Sequence, residues 1–203
     1  AASKYITYKI MRNILRILYN PTQVFTHLDN LYEENLNTNS NLIASVFGGL
    51  VGVYSIIAEF ENIQEIVRGW PLVIASIAGI LISSVLCVLF YNYVLTYILY
   101  FVGKLMGSKG LVADTRTAIV YSIIPISFIM ILAVVLILIP DTLIDIIAQY
   151  WILRISTHLI WAWTMVILII GLRILNKYGT LKAVVNILPI PLIGLIIFLI
   201  KYL

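Results

Sequence analysis

Arg154 and His158 are the one pair of ionisable side chains that falls within an apolar run of this sequence. They are four residues apart, so on a helix they share a face. Asp141 and Asp145 precede them and could reach back toward Arg154. An intramembrane pair of this kind could carry a proton or anion step at the outer mouth of a small transporter. The alternative is an arginine that extends to the membrane surface beside a packed histidine, and the shallow position of both residues favours it.

No other arrangement of reactive side chains in the sequence is typical of an enzyme. The chain has no HExxH, no GxSxG and no cysteine–histidine cluster with metal-ligand spacing. Cys87 is the only cysteine, and we expect it to act as a small buried apolar residue. The glycines and lysines of residues 103–116 lack the spacing of a phosphate-binding loop. We therefore expect a protein without enzymatic activity, catalytic residues, cofactor or metal.

The elements that would position these residues are membrane-spanning helices. Of the 203 residues, 62% are hydrophobic and 11% are charged, whereas soluble domains average about 25% charged residues. A helix needs about 20 apolar residues to cross the hydrocarbon core, and five segments approach or exceed that length. The sequence therefore predicts an all-α protein, with an integral membrane bundle of five transmembrane helices in residues 42–203. The five segments are 42–58, 71–102, 117–139, 152–172 and 183–200.

Positive charge is distributed very unequally over the connections between these segments. Ten of the thirteen Lys and Arg residues fall in three segments that five alternating spans place on one side. Short loops rich in Lys and Arg stay in the cytoplasm, so we expect a cytoplasmic N-terminus and an outside C-terminus. These loops explain the net charge of +4, are expected to attract anionic headgroups, and give no reason to invoke nucleic acid. The ten are Lys4, Lys9, Arg12, Arg16, Lys104, Lys109, Arg116, Arg173, Lys177 and Lys182.

Residues 1–41 are the expected cytoplasmic region ahead of the first span. Apolar residues recur at helical spacing in 4–19, which predicts an amphipathic interfacial helix whose basic side binds lipid headgroups. The same pattern suits a helix that packs on the inner ends of the spans, and the two alternatives stay open. Asn20-Pro21 is expected to end this helix and to start another turn or helix. The Asn-rich stretch 29–41 is expected to be a polar linker. The basic side of the first helix holds Lys4, Lys9, Arg12 and Arg16.

Small residues mark candidate packing faces in the first two spans. Gly48 and Gly52 are four residues apart in the first span, and Ala75, Gly79 and Ser83 recur at the same interval in the second. This spacing allows close approach of helices. We expect both faces to pack within the chain, with homo-oligomerisation as the alternative.

Three prolines are expected to bend or break the later spans. Pro125 lies inside the third span, while Pro189 and Pro191 interrupt the fifth near its inner end. Lipid cannot satisfy the carbonyl that each proline frees, so a neighbouring helix, a hydroxyl group or water must do so. A broken helix in the fifth span is either a feature of the fold or the lining of a cavity.

Three sequence blocks resemble the Yip family of polytopic membrane proteins, which is named for interaction with Ypt/Rab GTPases. They are NPTQVF at 20–25, LMGSKGLVADTRTAIVYSIIPI at 105–126 and WTMVILIIGLRILNKYGTLKAVV at 163–185. The resemblance implies a five-span bundle with a cytoplasmic N-terminus and, for eukaryotic members, roles in vesicle trafficking and membrane shaping. The long N-terminal region of those members is reduced here to residues 1–41. Chains this short are similar to the prokaryotic members, which implies a location in the cell membrane.

These observations predict a non-enzymatic membrane scaffold of Yip type that organises the membrane or binds a partner. One alternative is a small transporter or channel with a pathway near Arg154 and His158. Another is an accessory subunit of a larger membrane complex. The expected partners are the bilayer, with anionic headgroups at its cytoplasmic face, and a membrane protein or a second copy of this chain.

Overall fold

The structure is a computed structural model that describes residues 14–31, 33–66, 68–139, 146–192 and 199–200. Within these ranges the regular elements are helices and no strand occurs, which confirms the all-α prediction. The elements are α1 (Pro21–Leu28), α2 (Glu33–Ala58), α3 (Phe60–Ile66), α4 (Trp70–Leu89), a π-helical segment (Phe90–Leu95), α5 (Thr96–Leu105), α6 (Val112–Ser122), α7 (Ile124–Leu138), α8 (Ile146–Leu175) and α9 (Thr180–Asn186).

Four stretches of helix in the described residues are long and apolar enough to cross a membrane. They agree with the first four predicted spans, and their limits are Asn35–Ala58, Trp70–Leu105, Val112–Leu138 and Tyr150–Leu175. The described part of the predicted fifth span is a shorter apolar helix, Thr180–Leu192. Residues 193–198 of that span lie outside the described ranges, so the count of five remains a prediction.

The first long helix begins earlier than the sequence indicates. α2 starts at Glu33, within the stretch that was expected to be a linker. Its first turns are polar, yet Leu36, Asn39 and Ser40 are buried against other helices. The linker prediction treated the Asn-rich composition as a sign of solvent exposure. The structure instead uses several of these side chains for contacts inside the bundle.

Two local irregularities interrupt the long helices. The π-helical segment joins α4 to α5, and the hydroxyl of Thr96 donates to the carbonyl of Tyr91 at 2.7 Å. The second irregularity is a break at Ile123, which separates α6 from α7. Pro125 lies in the first turn of α7, where a missing N–H costs little. The hydroxyl of Ser122, just before this break, donates to the carbonyl of Ile119 at 2.6 Å.

Pro189 and Pro191 lie on the far side of a similar break. α9 ends at Asn186, and residues 189–192 form a new helical turn that contains both prolines. The prolines therefore begin a helical stretch instead of bending the middle of one. Pro189 and Pro191 are absent from the linings of the two described cavities, although the neighbouring Ile190 lines one of them.

The core of the bundle forms around α6, whose residues from Thr117 to Ser122 are all buried. Among the described helices, α2 and α4 make the most extensive contact. A β-carbon on Gly48 would lie 2.7 Å from the carbonyl oxygen of Ser83, and one on Gly52 would lie 2.9 Å from the Cα of Ile80. The predicted small-residue faces of the first two spans thus meet each other within one chain, where Gly48 and Gly52 pack against residues 80–84.

The remaining small residues of the second span lie nearer its start. A β-carbon on Gly79 would be in ordinary contact with the Cδ1 of Ile56, at 3.8 Å, and Ala75 is exposed. No residue of α4 is buried, and its outward side is apolar, as expected of a helix that faces lipid.

Candidate functional site: the basic end of the bundle

Three basic segments of the chain meet at one end of the bundle. The backbone N–H of Lys109, after α5, donates to the carbonyl of Asn176, after α8, at 3.1 Å. The ammonium group of Lys177 lies 3.6 Å from the carboxylate of Asp29, after α1. The charge pattern predicted that these connections share a side, and the contacts place them together. We call this region the basic end.

Asn176 joins the two loops of the basic end. Its side chain is buried, and its Oδ1 accepts a hydrogen bond from the hydroxyl of Thr115 at 3.2 Å. Gly110 packs directly against it, since a β-carbon there would lie 2.9 Å from the Cα of Asn176 and would collide with its Oδ1. The hydroxyl of Ser108 accepts from the N–H of Gly110 at 3.2 Å. These contacts hold residues 106–111 and 176–179 as one unit.

Tyr178 anchors the last helix to this unit. Its phenol oxygen accepts from the side-chain amides of Asn186, at 2.6 Å, and Asn176, at 3.4 Å. Burial raises the pKa of Tyr178, and the two amide hydrogen bonds oppose that shift only in part. The phenol is therefore neutral at physiological pH and serves as a structural contact.

The lysines of the basic end are held with their charges at the surface. The ammonium of Lys182 donates to the carbonyl of Met106 at 2.7 Å, and that of Lys104 donates to the carbonyl of Ser108 at 3.3 Å. Lys104 also lies 5.2 Å from the centre of the Tyr100 ring. Within the described ranges the one salt bridge is Lys177–Asp29. The exposed cations here are Lys104, Lys109, Arg173, Lys177 and Lys182.

Arg116 links three elements beneath this surface. Its Nε donates to the backbone carbonyl of Asn92 at 3.1 Å, and its Nη1 donates to the side chain of Asn37 at 2.7 Å. The guanidinium lies 5.5 Å from the centre of the Tyr93 ring. Asn92 is fully buried and donates to the side chain of Asn41 at 2.6 Å. Sequence reasoning counted Arg116 only as loop charge. The one sequence feature that could have indicated these contacts is the pair of asparagines at 37 and 41, which lie one helical turn apart.

The described part of the N-terminal segment packs on the bundle. Ile17 is fully buried, and the indole nitrogen of Trp163 donates to the carbonyl of Leu18 at 3.0 Å. Phe25 fills the space beside Gly171, where a β-carbon would lie 2.7 Å from the ring. For residues 14–18 this favours the packed alternative over a helix lying flat at the membrane surface. Arg16 is half-buried, and Lys4, Lys9 and Arg12 lie outside the described residues.

Comparison with known protein families shows the family to which the chain belongs. The family model of the Yip1 domain matches residues 15–201. The chain belongs to the Yip1 family. Family membership and the apolar helices together make it an integral membrane protein. No curated protein and no solved structure matches the chain.

The other end of this Yip1 domain carries Arg154 and His158. Arg154 is exposed, donates to the hydroxyl of Tyr150 at 2.5 Å, and lies 5.8 Å from the centre of the Trp151 ring. The Nδ1 of His158 donates to the carbonyl of Arg154 at 2.6 Å. Neither residue lines a described cavity. Both are satisfied by neighbours on their own helix. The predicted partners Asp141 and Asp145 lie outside the described residues.

Among the described residues of the Yip1 domain, no group of three or more His, Cys, Asp or Glu side chains is placed to hold a metal ion. Cys87 is half-buried and forms no disulfide; its Cβ packs near Gly48 of α2. The structure thus concentrates charge and loop order at the basic end, and we take that end as the candidate functional site.

Proposed function

We propose that this Yip1-domain protein is a non-enzymatic scaffold that contacts anionic lipid and a membrane-protein partner through its basic end. The observation that carries the proposal is the joining of two lysine-bearing loops through Asn176. Because the loops are fixed to each other, their exposed cations form one surface. Five cations contribute to it: Lys104, Lys109, Arg173, Lys177 and Lys182.

Electrostatics supports this assignment. A Lys or Arg near an anionic leaflet contributes about 1 kcal/mol, so a cluster of this size favours contact with acidic headgroups. The opposite end carries the acidic residues Glu59 and Glu65, with Arg68 and Arg154 as its described cations. This asymmetry agrees with a protein of the cell membrane whose basic end and N-terminus are on the cytoplasmic side. The four N-terminal cations Lys4, Lys9, Arg12 and Arg16 are proposed as a second group that contacts anionic headgroups.

The test is quantitative mass spectrometry of the protein and its lipids after purification from native membranes in mild detergent. The variant replaces Lys104, Lys109 and Lys182 with Gln. We expect it to retain severalfold less anionic lipid and to lose any stoichiometric partner. A matched control replaces Arg68 and Arg154 at the other end. Equal lipid and partner content in all three proteins would refute the proposal.

The N-terminal cations need a separate variant, because residues 14–18 are part of the packed bundle. Replacing Lys4, Lys9, Arg12 and Arg16 with Gln removes charge and keeps the apolar side of the segment. We expect this variant to fold and to retain less anionic lipid. Unchanged lipid content would restrict the proposed surface to the two loops.

The proposed orientation has its own experiment. In a background with Cys87 replaced by Ala, single cysteines at Lys109 and Asn62 occupy the two ends of the bundle. A membrane-impermeant maleimide added to intact cells should label the cysteine at position 62 and not that at 109. The reverse pattern would contradict a cytoplasmic basic end. A transport pathway near Arg154 and His158 receives no support from their exposed, locally satisfied positions.

A further inference from the structure

Arg116 lies between the first turns of α2 and the π-helical segment, and three contacts orient its guanidinium. The Nε donates to the carbonyl of Asn92, the Nη1 donates to the side chain of Asn37, and the ring of Tyr93 lies 5.5 Å away. Arg116 and Asn37 are half-exposed and Tyr93 is exposed, so these side chains border the surface of the protein.

These contacts use only part of the hydrogen-bonding capacity of Arg116. A guanidinium has five N–H groups, and the two hydrogen bonds engage one on Nε and one on Nη1. Among the described residues, neither N–H of Nη2 has a partner and no carboxylate forms a salt bridge with Arg116. An oriented guanidinium with spare donors and no paired carboxylate is suited to bind the oxygens of a phosphate group.

Asn41 adds a second donor beside this guanidinium. It lies one turn after Asn37 on the same face of α2, and its Oδ1 accepts from the side chain of Asn92 at 2.6 Å. That bond fixes the amide, whose Nδ2 makes no hydrogen bond within the described ranges. Asn41 is exposed, so its amide and Arg116 offer donors to a ligand from the two elements that meet at Asn92.

The position of these residues along the helices matches the boundary of the hydrocarbon layer. Asn41 directly precedes the first apolar run, 42–58. Trp70, at the start of α4, is 81% exposed, as is common for a tryptophan at a membrane surface. Asn92 follows it by 22 positions, which correspond to about 33 Å along a helix. Because the hydrocarbon core is about 30 Å thick, Trp70 and Asn92 lie near its two opposite boundaries.

The bond from Trp163 to Leu18 agrees with this placement. Trp161 and Phe90 line the same cavity, so this part of α8 lies beside the π-helical segment. Trp163 is therefore near the same boundary, where the N-terminal segment reaches it from the side of the basic end. Toward the hydrocarbon layer, the nearby exposed side chains of α2, α4 and the π-helical segment are apolar: Leu42, Val46, Leu86, Leu89 and Phe90.

We propose that Arg116 and Asn41 bind the phosphate of one anionic phospholipid, whose acyl chains lie against the apolar surface of α2 and α4. The groups that contact the guanidinium are neutral, so its charge favours a headgroup with one net negative charge, such as phosphatidylglycerol, over a zwitterionic headgroup. This site lies apart from the five cations of the proposed function, and either proposal can fail without the other.

The test titrates dioleoylphosphatidylglycerol into the delipidated protein in mild detergent and counts bound lipid by native mass spectrometry. It uses the variant with Lys104, Lys109 and Lys182 replaced by Gln, so that these loop lysines do not contribute. Asn41→Asp keeps an acceptor for Asn92 and places a negative charge beside the phosphate. We expect it to weaken the affinity for the first lipid by about 10-fold. Asn35→Asp makes the same change in charge at an exposed position of α2 and should leave the affinity unchanged.

Two measurements on the chain without the Asn41 substitution decide the matter even where that substitution affects folding. Dioleoylphosphatidylcholine should bind severalfold more weakly than dioleoylphosphatidylglycerol. Glycerol 1-phosphate, which has the phosphate but no acyl chains, should not displace the lipid at equal concentration. Equal affinities of folded Asn41→Asp and Asn35→Asp would overturn the proposal. So would equal binding of the two lipids, or displacement by glycerol 1-phosphate, which would indicate a site for a soluble phosphate.

Discussion

Trp163 donates a hydrogen bond from its indole nitrogen to the backbone carbonyl of Leu18, 145 residues earlier in the chain, at 3.0 Å. The bond ties the segment ahead of α1 to the middle of α8. The polar group of this tryptophan therefore bonds to the backbone of the same chain. The N-terminal segment is thereby part of the folded bundle.

Replacing Trp163 with Phe should loosen this segment. One neutral hydrogen bond contributes about 1 kcal/mol, so amide hydrogen exchange in residues 14–20 should rise roughly fivefold. Hydrogen–deuterium exchange of the protein in nanodiscs measures this rate for the backbone amides of residues 14–20. Trp161→Phe removes an indole from the same helix without touching the bond to Leu18 and serves as the control. Equal exchange in both variants would show that the bond does not hold the segment.

Arg116→Lys should destabilise the bundle although the charge is kept. A lysine cannot donate to the side chain of Asn37 and the carbonyl of Asn92 in the planar geometry of the guanidinium. Because Arg116 is half-exposed, we expect a loss of about 1–2 kcal/mol in the free energy of unfolding. Thermal unfolding in detergent measures it. Arg173→Lys, at an exposed position, should have no effect, and matching midpoints for the two variants would contradict the assigned role of Arg116.

Gly110→Ala should separate the two loops of the basic end. The new β-carbon would lie 2.9 Å from the Cα of Asn176 and 3.0 Å from the carbonyl oxygen of Leu175. Such overpacking costs about 1–3 kcal/mol and should lower the midpoint of thermal unfolding. Gly179→Ala is a close control, because nothing lies within 4 Å of its β-carbon position and its φ is −67°. An equal midpoint for both variants would mean that the loops do not depend on this contact.

Tyr178 should make stability depend on alkaline pH. Burial raises its pKa above the usual value of about 10, so the unfolded chain loses this proton first. The contribution of the protonated phenol to the free energy of unfolding is complete below the pKa of the unfolded state. It is lost as pH rises through the higher pKa of the folded state. Tyr178→Phe should therefore show a shallower fall in unfolding midpoint above about pH 10. Tyr19→Phe, at a 72% exposed position, is the control, and parallel curves for all three proteins would exclude this effect.

Most of the helices could be predicted from local sequence. The first four apolar runs appear as helices with limits close to the expected ones, because hydrophobic length is a property of consecutive residues. α1 follows Asn20-Pro21 as expected, since the side chain of Asn20 caps it by accepting from the N–H of Gln23. The meeting of the basic segments at one end also follows from charge and span parity alone.

Only the tertiary structure decided the contacts between residues that are far apart in the chain. Arg116 finds Asn37 across 79 positions, and no local pattern shows that a polar residue before a span will be buried. The hydrogen bond from Thr115 to the side chain of Asn176 likewise joins residues 61 positions apart. Composition and charge are sums over the chain, so the sequence by itself determined the membrane class, the helices and the grouping of the loops. The partners of individual polar groups depend on which helix faces pack together, and that is settled by the whole bundle at once.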